Sequence, residues 1–133
     1  LIAPSGEPIS SETLRGKHIG LYFSASWCPP CRGFTPKLIA FRNERATQFE
    51  VVLVGSDRSG EEQQAYVTDY GMPWPAIPNN GEHADKLNDL FGIQGIPALI
   101  IVSPDGKVVS TQGRDDVVTQ GSAAFEVWLA KGS

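Results

Sequence analysis

SASWCPPCRGF, residues 24–34, holds the only two cysteines of the chain. They stand two residues apart, with two prolines between them and a tryptophan in front. The run that leads into them, IGLYFSA (residues 19–25), is compact and apolar, which predicts a buried strand. The run that follows turns helical over about residues 29–45. Phe34, Leu38 and Phe41 recur on one side there, and Lys37, Arg42 and Glu44 fill the other. The cysteines therefore sit where a strand passes into a helix.

Placing Cys28 at the helix mouth puts Pro29 and Pro30 at the first two helical positions. The N–H groups they lack have no intrahelical partner there, so the prolines cost little and set the entry angle. Cys31 falls one turn along on the same side, and its backbone N–H points at the Cys28 sulfur as at an N-cap. That N–H and the positive end of the helix dipole both favour a thiolate at Cys28. A thiolate with a second cysteine in the next turn is equipped for thiol–disulfide exchange. Cys28 attacks a substrate disulfide; Cys31 then attacks the mixed disulfide and releases the reduced product. Trp27 reads as a flat apolar shield beside the sulfur, or more simply as a half-buried aromatic at a strand end.

Two other uses of the pair are weaker. Structural zinc takes four ligands, and the only histidines, His18 and His83, lack the close spacing of a ligand pair. A structural disulfide would close so small a loop that it would constrain little of the unfolded chain. Two cysteines also fall short of a secreted disulfide scaffold.

The rest of the chain supplies the frame. LIAPSGEPIS (residues 1–10) predicts a short edge hairpin, and FEVVLVGS (residues 49–56) a central strand covered on both faces. Ser59 and Glu62 predict a capping box for a helix reaching Tyr70, with Gly71 as its stop. MPWPAIP (residues 72–78) has too many prolines for a central strand and reads as a loop or edge segment. A helix follows over residues 82–91, ended by Gly92. PALIIV (97–102) is a buried strand, SPDG (103–106) a turn, and KVVST (107–111) the returning arm of a hairpin. Phe125, Trp128 and Leu129 predict a closing helix. The order implies a single α/β domain over residues 1–133, with a mixed sheet and helices on both faces. A proline that opens an apolar strand after a glycine turn is one of the few places where a cis bond is expected, and combined with the cysteine motif Ile96–Pro97 is read as cis.

Composition removes whole classes of function. The net charge is −4 with no basic cluster, which argues against nucleic-acid binding. No apolar run approaches the roughly 18 residues of a membrane span. The chain begins at Leu1, not Met, so it is expected to be part of a longer product, with any targeting segment outside it.

WCPPC, with Pro36 five residues beyond the second cysteine and GIP at residues 95–97, resembles the thioredoxin superfamily. YFSASWCPPCRGFTPKL, FEVVLVGSDRS, MPWPAIP and LFGIQGIPALIIVSPDGKVVSTQGR are similar to its tryparedoxin and nucleoredoxin branch, over about residues 16–114. WCPPC alone is shared with membrane-anchored bacterial thiol oxidoreductases; RGFTP together with MPW and IQGIP is far more specific. SDRSGEE is closer to the nucleoredoxins.

The resemblance implies a thioredoxin-like fold and a protein-disulfide reductase, with Cys28 as nucleophile and Cys31 as resolving thiol. Trp27, Pro29, Pro30, Ile96 and Pro97 would border the disulfide, and the Ile96 backbone would pair with an extended substrate segment. It implies no cofactor and no metal. Partners would be disulfide-containing proteins and an upstream reductase or low-molecular-weight thiol that donates electrons. The domain would act as a monomer in the cytoplasm, and in the nucleus as well. Two alternatives stay open: a nucleoredoxin-like binding module switched by redox state, and an oxidoreductase of the membrane-anchored periplasmic type. Many thioredoxins carry a buried aspartate six residues before the nucleophile; that position here is Tyr22, as in tryparedoxins. The proton acceptor of Cys31 is therefore open. Asp57 is a candidate, and its simpler reading is a turn residue that caps the next helix.

Overall fold

The computed structural model describes residues 1–79, 81–93, 95–121 and 123–132. Its sheet has the order β2–β1–β3–β4, formed by β1 His18–Ser24, β2 Phe49–Gly55, β3 Ala98–Val102 and β4 Val108–Ser110. β1 and β2 are parallel; β3 is antiparallel to β1, and β4 to β3. The helices are α1 Pro29–Asn43, α2 Gly60–Tyr70, α3 Glu82–Phe91, α4 Gly113–Gln120 and α5 Ala123–Gly132.

Alternating side chains along the strands build two apolar layers. On one face, Tyr22, Phe49, Val51, Leu53, Leu99 and Ile101 pack with residues of α1, α2, α4 and α5. On the other, Phe23, Val52, Val54 and Ile100 pack with Ala84 of α3 and the half-buried Leu14, Leu87 and Phe91. Helices thus cover both faces, as the order of elements implied. β2 is buried at every position, which is why its sequence lacks a polar side. Its one charge, Glu50, takes two 2.8 Å hydrogen bonds from the Arg42 guanidinium of α1.

The β2 edge of the sheet is covered. Beyond β2, the Leu53 N–H donates to Pro75 O and the Ile77 N–H to Leu53 O, each at 3.0 Å, so the proline-rich segment lies along that edge. Ala76 then exchanges backbone hydrogen bonds with Ile2, which bridges to Pro8 in the N-terminal hairpin. The opposite edge, β4, is three residues long.

Two elements escape the sequence reading. A short 3-10 helix spans Ser11–Leu14, and α4 precedes the closing helix. α4 buries only Gly113 and Val117 and leaves Val118 exposed, so it carries no apolar stripe to read. Its seat on β3 depends on Gly113. A Cβ there would lie 2.8 Å from the Leu99 backbone oxygen, which cannot swing aside.

The start of α2 corrects one reading. Ser59, not Asp57, is its N-cap, and the Ser59 hydroxyl accepts the Glu62 N–H at 3.2 Å. The Glu62 carboxylate reaches back to the Arg58 N–H, one residue before the position a reciprocal box would use.

His18 opens β1 in a buried position, edge-on to the Phe125 ring at 5.7 Å, and its Nε2 has no hydrogen-bond partner. Burial holds its pKa below the ordinary histidine value, against a weaker opposing pull from Asp105. Folding therefore favours neutral imidazole. The stability this contributes is present above the unfolded pKa of about 6.5 and is lost as pH falls below it. Denaturant midpoints should decline as pH falls below about 6.5, more steeply for the native chain than for His18→Leu. Parallel declines would remove His18 from the account.

Candidate active site

α1 begins at Cys28, whose extended backbone leaves the side chain free to cap the helix. The Cys28 sulfur accepts the Cys31 N–H at 3.4 Å, and Pro29 and Pro30 occupy the first turn without depriving the helix of a hydrogen bond. Both cysteines are free thiols.

The two sulfurs differ in what they face. Cys28, 5% exposed, lines a groove of about 560 Å³ with Trp27, Pro29, Pro30, Ile93 and Ile96; Ser56, Asn88 and Gly95 complete the lining. None of these side chains is charged. The Cys28 thiol donates to the Ile96 carbonyl at 3.7 Å, and the Ile96–Pro97 bond is cis. Pro97 itself is buried. Trp27 is 54% exposed, and its indole N–H donates to Ser56 O at 3.0 Å, fixing the ring at the groove's rim. The groove thus gathers Trp27, Cys28, Pro29, Pro30 and Ile96 of the expected site.

Cys31 is fully buried. Burial, aided by the hydrogen bond with Cys28, pushes its thiol up to about 12, while the Ser24 hydroxyl and the Ala25 backbone pull the other way. Asp57 also is buried, but it serves the loop before the cysteines. Its Oδ1 accepts the Ser26 N–H at 2.8 Å and the Ser26 hydroxyl at 2.6 Å, and its carbonyl accepts from Asn79 Nδ2. It ties that loop to the end of β2 and caps no helix.

Beneath Cys31 lies a group of hydroxyls that the sequence does not announce. Tyr22 and Ser24 come from β1, Thr35 from α1 and Tyr66 from α2. Thr35 Oγ1 donates to Cys31 O at 2.9 Å and stands 2.7 Å from the Tyr22 hydroxyl and 2.8 Å from that of Tyr66. Tyr66 in turn is 2.8 Å from Ser24 Oγ, and the Tyr22 hydroxyl reaches Cys31 O at 3.1 Å. Burial raises the pKa of both tyrosines, so both keep their protons. Position 22 stood out for lacking an aspartate. Nothing local pointed to Tyr66, which reads as one more apolar residue on its helix.

Among the described residues, no cluster of three or more His, Cys, Asp or Glu side chains could hold a metal ion, and no helix is long and apolar enough to cross a membrane.

Comparisons with known proteins agree with this geometry. A thioredoxin-like family model matches residues 16–108. Mouse nucleoredoxin is 41% identical over 135 residues, covering 98% of this chain and 31% of nucleoredoxin. Xenopus laevis nucleoredoxin is 46% identical over 122 residues, 89% of this chain and 29% of the relative. The chain thus spans about a third of the length of these curated relatives. Among solved structures, tryparedoxin II from C. fasciculata superposes with a TM-score of 0.82 at 39% identity, covering 92% of this chain and 82% of that one. Thioredoxin from Wuchereria bancrofti also gives 0.82, at 38% identity and 97% and 92% coverage. The CxxC pair at the mouth of α1, the mixed sheet behind it and a family match over most of its length place this chain in the thioredoxin-like family.

Proposed function

We propose that this domain reduces protein disulfides by thiol–disulfide exchange, with Cys28 as the attacking sulfur and Cys31 as the resolving one. The asymmetry of the two thiols carries the reading: Cys28 opens onto the groove, whereas Cys31 is sealed beneath it and held protonated. The apolar walls suit a protein segment. Trp27, Pro29, Pro30 and Ile96 border it, the buried Pro97 follows through the cis bond, and the Ile96 backbone offers it a strand-like partner. Asp57 holds the loop before the cysteines in place through Ser26. A tryparedoxin II structure is complexed with glutathionylspermidine. Among the described residues, none that lines this groove offers a carboxylate to the amines of such a conjugate.

Electrons come from an upstream reductase or a low-molecular-weight thiol, and the domain works as a monomer. Re-reduction of the pair suits compartments that keep thiols reduced, the cytoplasm and nucleus. A redox-switched docking role is favoured by one feature, the exposed Trp27 at the rim.

Reduction of insulin disulfides separates the two readings. With dithiothreitol as donor, the domain should accelerate insulin precipitation catalytically, and a panel of thioredoxin reductase with NADPH, glutathione and a trypanothione system should identify its donor. No acceleration over dithiothreitol alone would discard the reductase in favour of the docking module.

A further inference from the structure

We propose that Asn88 is the specificity residue of the groove: its amide holds the backbone of an extended segment, and the uncharged lining around it selects disulfides flanked by neutral residues. The proposal rests on the reading of Cys28 as the attacking sulfur. α3 carries four charged residues, Glu82, Asp85, Lys86 and Asp89, and among the described residues that line the groove there is none of them. What α3 presents there is Asn88. Packing sets that choice. Ala84, Leu87 and Phe91 seat the helix on the Phe23 layer, with the Phe91 ring edge-on to Phe23 at 6.5 Å. At about 3.6 residues per turn, Asn88 falls beside this buried stripe, on the flank that borders the groove.

The Asn88 amide is half-buried, fixed at one end and open at the other. Its Nδ2 donates to Ala84 O at 2.8 Å. One amide proton and the Oδ1 acceptor remain, and among the described residues nothing donates to Oδ1. A primary amide repeats the donor and acceptor of a peptide group, so it can pair with a main chain whatever side chains that chain carries. The Ile96 carbonyl, 3.7 Å from the Cys28 sulfur, is a further acceptor in the same groove. Ile93, part of the wall, donates its N–H to Asn88 O at 3.0 Å. That anchor joins main chain to main chain, so a change of the Asn88 side chain leaves the wall standing.

The same lining makes charge costly. A lysine or glutamate beside the substrate cysteine exchanges water for tryptophan, proline and isoleucine, and no lining residue supplies a countercharge. A neutral segment gives up only the hydration of its amides, which Asn88 and Ile96 replace. Main chain and apolar area therefore set affinity, and charge acts as an exclusion. The step that reads this selection is the first exchange. Cys28 gives up its proton, and its electron pair forms a bond to one substrate sulfur. The substrate disulfide breaks, and the departing thiolate takes up a proton.

The test uses three peptides that differ only in the pair of residues flanking a single cysteine: alanines, lysines or glutamates. Each cysteine is joined by a disulfide to 2-thiopyridine, an uncharged leaving group whose release is read by absorbance. The partner is the Cys31→Ser domain, in which the adduct persists, and the adduct mass confirms attack on the peptide sulfur. At low peptide concentration the alanine peptide should react about 10-fold faster than either charged one. Asn88→Asp should raise the lysine-to-glutamate rate ratio about 10-fold at low salt, and high salt should remove the gain. Any effect on the sulfur itself or on the folded fraction divides out of that ratio. Asn88→Leu should slow all three peptides by one factor of about 5 and leave the rate at saturation unchanged. Equal rates for the three peptides, or a ratio unmoved by Asn88→Asp, would overturn the proposal and leave the reductase intact. Should Asn88→Asp misfold, Asn88→Leu decides, and unchanged rates there refute the role of Asn88. No adduct with any peptide would overturn the reading of Cys28 on which the proposal rests.

Discussion

A Cys31→Ser variant is expected to hold its substrate as a lasting mixed disulfide, and a Cys28→Ser variant to hold none. The first removes the only sulfur that can attack the bond Cys28 makes, and a serine hydroxyl is no substitute at neutral pH. The second leaves a buried thiol, and burial holds its pKa above the ordinary cysteine value. Few such sulfurs are ionised at pH 7, and thiolate is the reacting form. Turnover should vanish in both, but only Cys31→Ser should shift to the mass of the adduct on a non-reducing gel, near one equivalent. Equal capture by the two variants would remove the assignment of roles, and capture by Cys28→Ser alone would invert it.

The largest loss of stability is expected from Trp128→Ala. The indole is fully buried among Phe41, Phe49 and Phe125, with ring centroids 5.3, 5.6 and 6.5 Å away. Its N–H donates to Asp116 Oδ2 at 2.9 Å, the same oxygen that accepts the Ser110 hydroxyl. One residue therefore joins α5 to α1, β2, β4 and α4. Truncating such a side chain costs about 3–5 kcal/mol, a large share of the about 5–15 kcal/mol that a domain of this kind possesses. Trp128→Phe keeps most of the packing and forfeits the hydrogen bond, at a cost of about 1–3 kcal/mol. Urea titrations should rank the variants in that order. A loss below about 1 kcal/mol for alanine would mean that α5 is not part of the cooperative core.

What the sequence disclosed divides along physical lines. β1, β2 and β3 bury side chains on two faces and α1 carries a regular apolar stripe, so period and burial speak clearly. The cysteine pair was legible because its chemistry is local: cap, prolines and both sulfurs lie within four residues. α4 was hidden because a single valine and a glycine seat it, and the glycine acts by what it lacks. The hydroxyl group under Cys31 was hidden because it is assembled from three elements, with Ser24 and Tyr66 42 positions apart. Asp57 misled for the opposite reason. A carboxylate at a strand end beside a helix start looks like a cap, and only the folded loop reveals that its partner is Ser26.

The covered β2 edge of the sheet bears on how crowded this domain can be. An exposed strand edge is a template on which a neighbouring chain can crystallise into shared sheet, and the hazard grows with local concentration. Here one flank is occupied by a proline-bearing segment backed by a hairpin, and the other is too short to seed a pairing. Copies or unrelated modules set side by side meet no free backbone ladder along β2. Sociability is left to the groove, where an incoming chain is met by a sulfur that can let it go.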